Sequence, residues 1–305
     1  MAYIYARRLL HPTSFVAALL AALQWRLLLL WLVLLLLPTA IVALPLWKAL
    51  GGLLDHSVHA PAWADQFNPI MFGDVLGALR DNGDWLGGAA LAGLLLAVLL
   101  APLLSGMVVS CGRAGRALGF GHLLQSAVIE YGRMFRLMLW SLPVYAIAVG
   151  VASFGLVLAD KHAERVVLES QADAGMHAAL VVLAVLFVLA QAVMESARAA
   201  FIADVGLRSA TRALGRGLLQ LWRRPLDTLL CFVLVTGLGY AIALAFGVAR
   251  LRTVASGPGG FLIALLFSQL AVAAIGWMRT ARLFALAQVA RTLAPSRHAD
   301  PPPAP

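Results

Sequence analysis

Four charged side chains near the ends of two apolar stretches are the residues best suited to chemistry in this sequence. Glu195 and Arg198 lie one helical turn apart at the end of the fourth apolar stretch, and Arg279 and Arg282 lie at the matching end of the sixth. Opposite charges in such a position either hold neighbouring helices together or line a polar cavity. We favour the structural role, because charged side chains at the ends of apolar helices are common and extend to water.

A pair of histidines is a second candidate, in this case for binding a metal ion. His56 and His59 lie three residues apart beside Asp55, and on a helix this spacing puts both imidazoles on one face. Two imidazoles and one carboxylate leave the usual four-ligand set incomplete. We therefore expect a solvated loop here, and we predict neither a metal ion nor another cofactor.

Motifs of known catalytic chemistry do not occur in the sequence, which has no G-x-S-x-G elbow, P-loop, H-E-x-x-H or C-x-x-C. The apolar stretches also carry no charged residue at mid-membrane depth, where ion-coupled carriers usually bury one. Gln269 is polar at that depth. We interpret it as an interhelical hydrogen-bond donor, with substrate contact as the alternative. These observations favour a protein that is not an enzyme.

The elements that must position these residues are six apolar stretches. The chain is 62% hydrophobic and 12% charged, which is too little charge to cover a water-soluble surface. Each stretch is long enough, at about 1.5 Å per residue, to cross a hydrocarbon core of about 30 Å. Continuous runs of Leu, Ala and Val predict helices, because barrel strands alternate apolar and polar residues. We predict an all-α, polytopic membrane bundle with spans at Leu27–Trp47, Gly87–Ser110, Leu137–Ala159, His177–Ala197, Leu226–Val248 and Gly260–Met278.

The distribution of basic residues predicts the orientation of this bundle. Of the 23 Lys and Arg, 17 fall in the termini and the two long loops on the same side, and 6 fall on the other side. This is the positive-inside pattern, so we predict cytoplasmic termini in a bacterial inner membrane. The net charge of +9 then needs no nucleic-acid partner. Residues 294–305 are Pro-rich and lack periodicity, so we expect a disordered cytoplasmic tail after a single domain at 1–293.

An internal repeat divides that domain into three hairpins. Leu123-Leu124-Gln125 recurs as Leu218-Leu219-Gln220, and Tyr145-Ala146-Ile147-Ala148 recurs as Tyr240-Ala241-Ile242-Ala243, both at an offset of 95 residues. The ends of the fourth and sixth stretches also share a small-Ala-Arg pattern. We predict that each repeat comprises an amphipathic helix, termed a pre-helix, then a span, an outer loop and a returning span, at about 8–110, 113–205 and 208–293.

The third pre-helix carries a row of arginines. Arg208, Arg212 and Arg216 recur every fourth residue, so on a helix they form one stripe. We favour an ordinary interfacial helix whose arginines only set the topology. Contact with anionic lipid head groups is the alternative.

Small residues form a row on the second stretch and predict close helix packing. They fall at strict intervals of four, which lets a neighbouring backbone approach. We term this row the small-residue seam: Ala89, Gly93, Ala97, Ala101 and Ser105.

The three-hairpin layout, the pre-helices and the Ala-Arg patterns resemble a broad group of bacterial six-span domains, which includes the membrane domain fused to some glycerophosphodiester phosphodiesterases. The resemblance implies a membrane domain and carries over no catalytic residue. Our leading hypothesis is a non-enzymatic scaffold or accessory subunit of an envelope process. A transporter or lipid-handling protein is the alternative, and a membrane enzyme acting at the cytoplasmic interface is the third. We expect partners among membrane lipids, anionic ones included, and among proteins or second copies of this chain.

The predicted topology is testable by cysteine labelling with a membrane-impermeant reagent. We expect Ser57→Cys to be labelled in intact cells, because it lies in the first outer loop. Ser209→Cys should be labelled only after permeabilisation, because it lies in a basic loop. Labelling of Ser209→Cys in intact cells would show that the orientation is the reverse of the predicted one.

Overall fold

The structure, a computed structural model, describes residues 12–55, 57–58, 68–81, 83–163, 169–253 and 257–293. The tail at 294–305 and the start of the first repeat, up to residue 11, lie outside the described residues. Within the described ranges the chain forms helices and no strand, which confirms the all-α prediction. The helices are α1 Pro12–Ala21, α2 Trp25–Leu54, α3 Pro69–Asp81, α4 Asp84–Ala114, α5 Phe120–Ala163, α6 Glu169–Ala203, α7 Ala210–Arg223, α8 Pro225–Leu251 and α9 Gly257–Leu293.

Six of these helices, α2, α4, α5, α6, α8 and α9, are long and apolar enough to cross a membrane. Large apolar side chains cover much of their outer surface, with Leu142 65% exposed and Leu244 69% exposed. Apolar surface on this scale is stable against lipid and not against water. The predicted set of six spans is therefore confirmed, and the chain is a membrane protein.

The buried core lies where the C-terminal halves of α4, α6 and α9 converge. Met107, Phe201 and Leu286, one from each helix, are fully buried there. Gly112 of α4 marks the closest approach, because a Cβ atom at this position would lie 2.8 Å from Ile202 of α6 and 3.0 Å from the Phe284 ring of α9. The three helix ends therefore form one tightly packed unit.

Two of the predicted pre-helices are separate helices and one is not. α1 packs against α9 and α7 packs against α6, whereas the second pre-helix is the first part of the 44-residue helix α5. The break between α7 and α8 falls at Arg224, which has φ −135° and ψ 61°. Arg224 precedes Pro225, and a residue before proline is disfavoured in the helical region. No proline occupies the corresponding part of α5, where the first is Pro143, well inside the apolar segment.

The buried positions of α5 and α7 do not match at the predicted offset of 95 residues. Leu123 of α5 is fully buried, whereas Leu218 of α7, its partner at an offset of 95, is 55% exposed. The buried positions match at an offset of 90 instead, with Ala127 opposite Gly217 and Glu130 opposite Gln220. The starts of α5 and α7 are also 90 residues apart. The shared Leu-Leu-Gln triplet therefore lies on different faces of the two helices.

The small-residue seam of α4 approaches α2 at Gly93. Gly93 is buried, and a Cβ atom there would lie 2.8 Å from Val42 Cγ2 and 3.2 Å from the Pro38 carbonyl oxygen. Ala89, Ala97, Ala101 and Ser105 are partly buried, while the neighbouring Leu94 and Leu95 are exposed. Gly93 is therefore a point of close approach between α4 and α2.

We expect Gly93→Leu to destabilise the bundle by about 1–3 kcal/mol, because the added side chain overlaps α2. Gly88→Leu is the matched control, since it is the same substitution on the same helix with no heavy atom within 4 Å of the new Cβ. Thermal midpoints in detergent compare the two variants with the parent. Equal midpoints for Gly93→Leu and Gly88→Leu would contradict this packing.

Candidate functional site

Glu195 of α6 is the centre of a buried ionic cluster. Its side chain is 5% exposed and accepts hydrogen bonds at the same oxygen, Oε1, from Arg282 Nη2 at 2.7 Å and Arg198 Nη1 at 3.0 Å. A carboxylate buried this deeply is stable as an ion only beside cations. The structure thus brings together three of the four charged residues singled out in the sequence. The pair between Glu195 and Arg282 joins α6 to α9.

Arg282 also reaches α8. Its Nη1 donates to Thr236 Oγ1 at 3.2 Å, and its guanidinium carbon lies 4.7 Å from the centroid of the Phe232 ring. Thr236 lies near the middle of α8, where the sequence predicted no charge. Arg282 reaches this position because helical side chains lean toward the N-terminus of their own helix and arginine is long enough to extend about one turn. The cluster consequently links three helices.

Arg279, the fourth predicted member, lies close enough to interact electrostatically with Glu195 but makes no hydrogen bond to it. Its guanidinium carbon is 5.7 Å from the centroid of the Trp31 ring of α2, a cation–π distance. Within the described residues it forms no ion pair, and Asp204, which follows α6, pairs with Arg216 instead. The cluster is therefore Glu195 with Arg198 and Arg282.

A second ionic cluster, absent from the sequence predictions, joins α4, α5 and α6. Glu130 of α5 is 6% exposed, and its carboxylate accepts from Arg113 of α4 at 2.5 Å and from Arg133 at 2.9 and 3.0 Å. Arg113 Nε also donates to the Phe201 carbonyl oxygen of α6 at 2.7 Å. The same solution, one buried glutamate between two arginines, is used twice in the bundle.

A repeated triplet was the signal for this second cluster. Cys111-Gly112-Arg113 in the last turn of α4 matches Ser196-Ala197-Arg198 and Thr280-Ala281-Arg282 in the C-terminal halves of α6 and α9. Each triplet has two small residues followed by an arginine that pairs with a buried glutamate. The small residues let helices approach closely, which brings Arg113 and Arg282 within reach of a carboxylate on a neighbouring helix, whereas Arg198 pairs within its own helix.

One face of α7 is fixed against the bundle. Its buried residues are Ala210, Ala213, Gly217 and Gln220. A Cβ atom at Gly217 would lie 2.6 Å from the Val193 carbonyl oxygen, so the backbones of α7 and α6 are in direct contact. The Gln220 side chain donates to the Leu286 carbonyl oxygen of α9 at 3.3 Å. Because these contacts hold α7 to both helices, its other faces have set directions.

The remaining surface of α7 has an apolar side and a basic side. Trp222 is 85% exposed and Leu218 is 55% exposed on one side. On the other side, the exposed residues are Arg212, Arg216 and Arg223. We term this set the α7 arginine row.

The predicted stripe of Arg208, Arg212 and Arg216 is not continuous on the helix. Ser209, the residue before α7, has extended backbone, and its Oγ accepts a hydrogen bond from the Arg212 N–H at 3.4 Å. Arg208 therefore precedes the helix, and Arg216 forms an exposed ion pair with Asp204 at 2.6 Å.

Other candidate chemistry is limited in the part of the chain that the structure describes. No group of three or more His, Cys, Asp or Glu side chains there has the geometry to hold a metal ion. His56 and His59 lie outside the described residues. Cys111 and Cys231 are buried free thiols.

Comparisons with known proteins add no relative to this description. No protein-family model, curated protein or solved structure matches the chain.

Proposed function

We propose that this chain is a lipid-handling membrane protein that holds anionic phospholipid against its cytoplasmic face. The observation that carries the proposal is the cross-section of α7. One face is fixed to the bundle by Gly217, a second presents Trp222, and the third presents the α7 arginine row. Indole rings favour the boundary between hydrocarbon and water, and arginines beside them meet lipid phosphates.

Charge and anchoring support binding to anionic lipid in particular. Each Lys or Arg near an anionic membrane surface contributes about 1 kcal/mol of attraction. An interfacial helix that is free to rotate can point its cations into water. α7 cannot do so, because its contacts with α6 and α9 fix its rotation. Its arginines therefore stay beside the plane set by Trp222.

The orientation in this proposal follows from the bias of 17 to 6 in basic residues. It places α7, both termini and the converging ends of α4, α6 and α9 on the cytoplasmic side of a bacterial inner membrane. The head groups that meet α7 then belong to the inner leaflet.

Three hairpins remain our proposal for the architecture. Its support is that each pre-helix contacts a returning span of another hairpin. α7 lies on α6, Glu130 of α5 pairs with Arg113 of α4, and Trp277 Nε1 of α9 donates to the Leu19 carbonyl oxygen of α1 at 3.1 Å. These contacts run from each hairpin to the next and from the last to the first.

A scaffold or accessory subunit of an envelope process is the second candidate. It is favoured by the two glutamate-centred clusters, because they bind α4, α5, α6, α8 and α9 to one another and make a rigid platform. A protein partner or a second copy of the chain is the expected binding partner in that role, and no part of it requires nucleic acid. The layout shared with the membrane domain of some phosphodiesterases fits either candidate.

We expect the triple variant Arg212→Gln, Arg216→Gln and Arg223→Gln to retain at least about tenfold less phosphatidylglycerol relative to phosphatidylcholine than the parent. Lipid mass spectrometry of protein purified from vesicles containing both lipids measures the ratio. The matched control removes three arginines from the opposite side of the bundle: Arg80, Arg250 and Arg252.

The control triple variant should leave the lipid ratio unchanged. The parent and both triple variants should have similar thermal midpoints. Loss of the Arg216–Asp204 pair should cost little, because this pair is exposed and contributes less than about 1 kcal/mol. An equal lipid ratio in both triple variants would show that the α7 arginines set topology only.

A further inference from the structure

A pocket of about 550 Å³ opens between α5 and the start of α7. Arg136, Leu139 and Trp140 line it from α5, and residues 208–211 line it from the other side. The pocket lies on the same side of the bundle as the converging helix ends. It is distinct from the α7 arginine row and shares none of its residues.

The two arginines of this pocket are not neutralised by the protein. Arg113, Arg133, Arg198 and Arg282 all pair with buried glutamates. Arg136 and Arg208, by contrast, form no ion pair with any residue in the described ranges, and no carboxylate lines the pocket. Two guanidinium groups that face one space repel each other, so a bound anion between them is stabilised by both.

The opposite wall adds donors suited to an oxyanion. Ser209 and Thr211 contribute hydroxyl groups, and the pocket includes the first residues of the 14-residue helix α7. A helix leaves the N–H groups of its first turn without intrahelical acceptors and carries positive potential at that end. Guanidinium groups, hydroxyls and first-turn amides together are the donor set that phosphate groups take.

An apolar surface continues from the pocket along α5. Leu139, Trp140, Ile147 and Phe154 follow Arg136 on one face of the helix, and they are 47%, 40%, 68% and 66% exposed. Arg136 and Ile147 are 11 positions apart and about 16 Å apart along the helix, close to the roughly 15 Å of hydrocarbon in one leaflet. A ligand with a phosphate group and an acyl chain matches both parts of this surface.

We propose that this pocket binds the phosphate of one glycerophospholipid, with an acyl chain of that lipid lying along the exposed face of α5. The proposal deepens the proposed function, on which it rests for the leaflet. It adds a single defined site to the general attraction exerted by the α7 arginine row. Free phosphate shares the head-group chemistry but lacks the apolar part.

Native mass spectrometry of the full chain in detergent tests the site. The probes are phosphatidylglycerol, diacylglycerol and inorganic phosphate, each titrated separately and in competition. We expect Arg136→Gln and Arg208→Gln each to weaken binding of the first phosphatidylglycerol about tenfold, the effect of one lost charge-assisted contact. Arg116→Gln, an exposed arginine on the α4–α5 link outside the pocket, is the control and should change it less than about twofold.

The remaining outcomes distinguish a lipid phosphate from free phosphate, and the pocket proposal from the proposed function. Diacylglycerol should bind more weakly than phosphatidylglycerol, and inorganic phosphate at equal concentration should not displace the lipid. Displacement would overturn the lipid assignment. Parent-like binding in Arg136→Gln or in Arg208→Gln would overturn the shared site, whereas the proposed function would still stand if the α7 triple variant lost its lipid preference. If the parent binds phosphatidylglycerol no more tightly than diacylglycerol, both proposals fail.

Discussion

Burial of the Glu195 carboxylate constrains the whole bundle, because an ion removed from water must keep its partners. The idealised cost of transferring one such charge to a low-dielectric interior is of order 20 kcal/mol, and several kcal/mol remain after relaxation. Arg198 lies on the same helix, but Arg282 lies on α9 and simultaneously donates to Thr236 of α8. The packing of α6, α8 and α9 is therefore coupled through one carboxylate. The cluster around Glu130 couples α4, α5 and α6 in the same way.

The surfaces with proposed functions depend on this coupling. α7 has no apolar core of its own, and its position is set by direct backbone contact at Gly217 with α6 and by the Gln220 bond to α9. A shift between α6 and α9 would break one of these contacts. It would also move Arg208 relative to Arg136 of α5, and the pocket between them would change shape. The surface with the proposed lipid contacts thus has a geometry that depends on ion pairs on the opposite side of α6.

The six membrane-crossing helices were predictable from the sequence, because length and apolar composition decide whether a helix can span lipid. The clustering of Glu195 with Arg198 and Arg282 was also predictable, whereas the partners of the other charges were not. Glu130 lies within an amphipathic segment, and nothing local shows that its partner is Arg113, 17 residues earlier on another helix. Arg279 and Arg282 are equally basic, and only the rotation of α9 decides that Arg282 meets Glu195. The repeated Leu-Leu-Gln triplet gave the wrong register, since a shared triplet in a Leu-rich chain does not identify the buried face.

The free energy of unfolding tests most directly whether the packing of the bundle depends on Glu195. Reversible SDS denaturation measures this free energy for the parent, Glu195→Gln and Arg216→Gln. We predict a loss of about 3–5 kcal/mol for Glu195→Gln, because Arg282 remains buried without a counter-charge and Arg198 loses its partner. Arg216→Gln breaks an exposed pair and should cost less than about 1 kcal/mol. A Glu195→Gln variant as stable as the parent would show that burial of this carboxylate does not hold the bundle together.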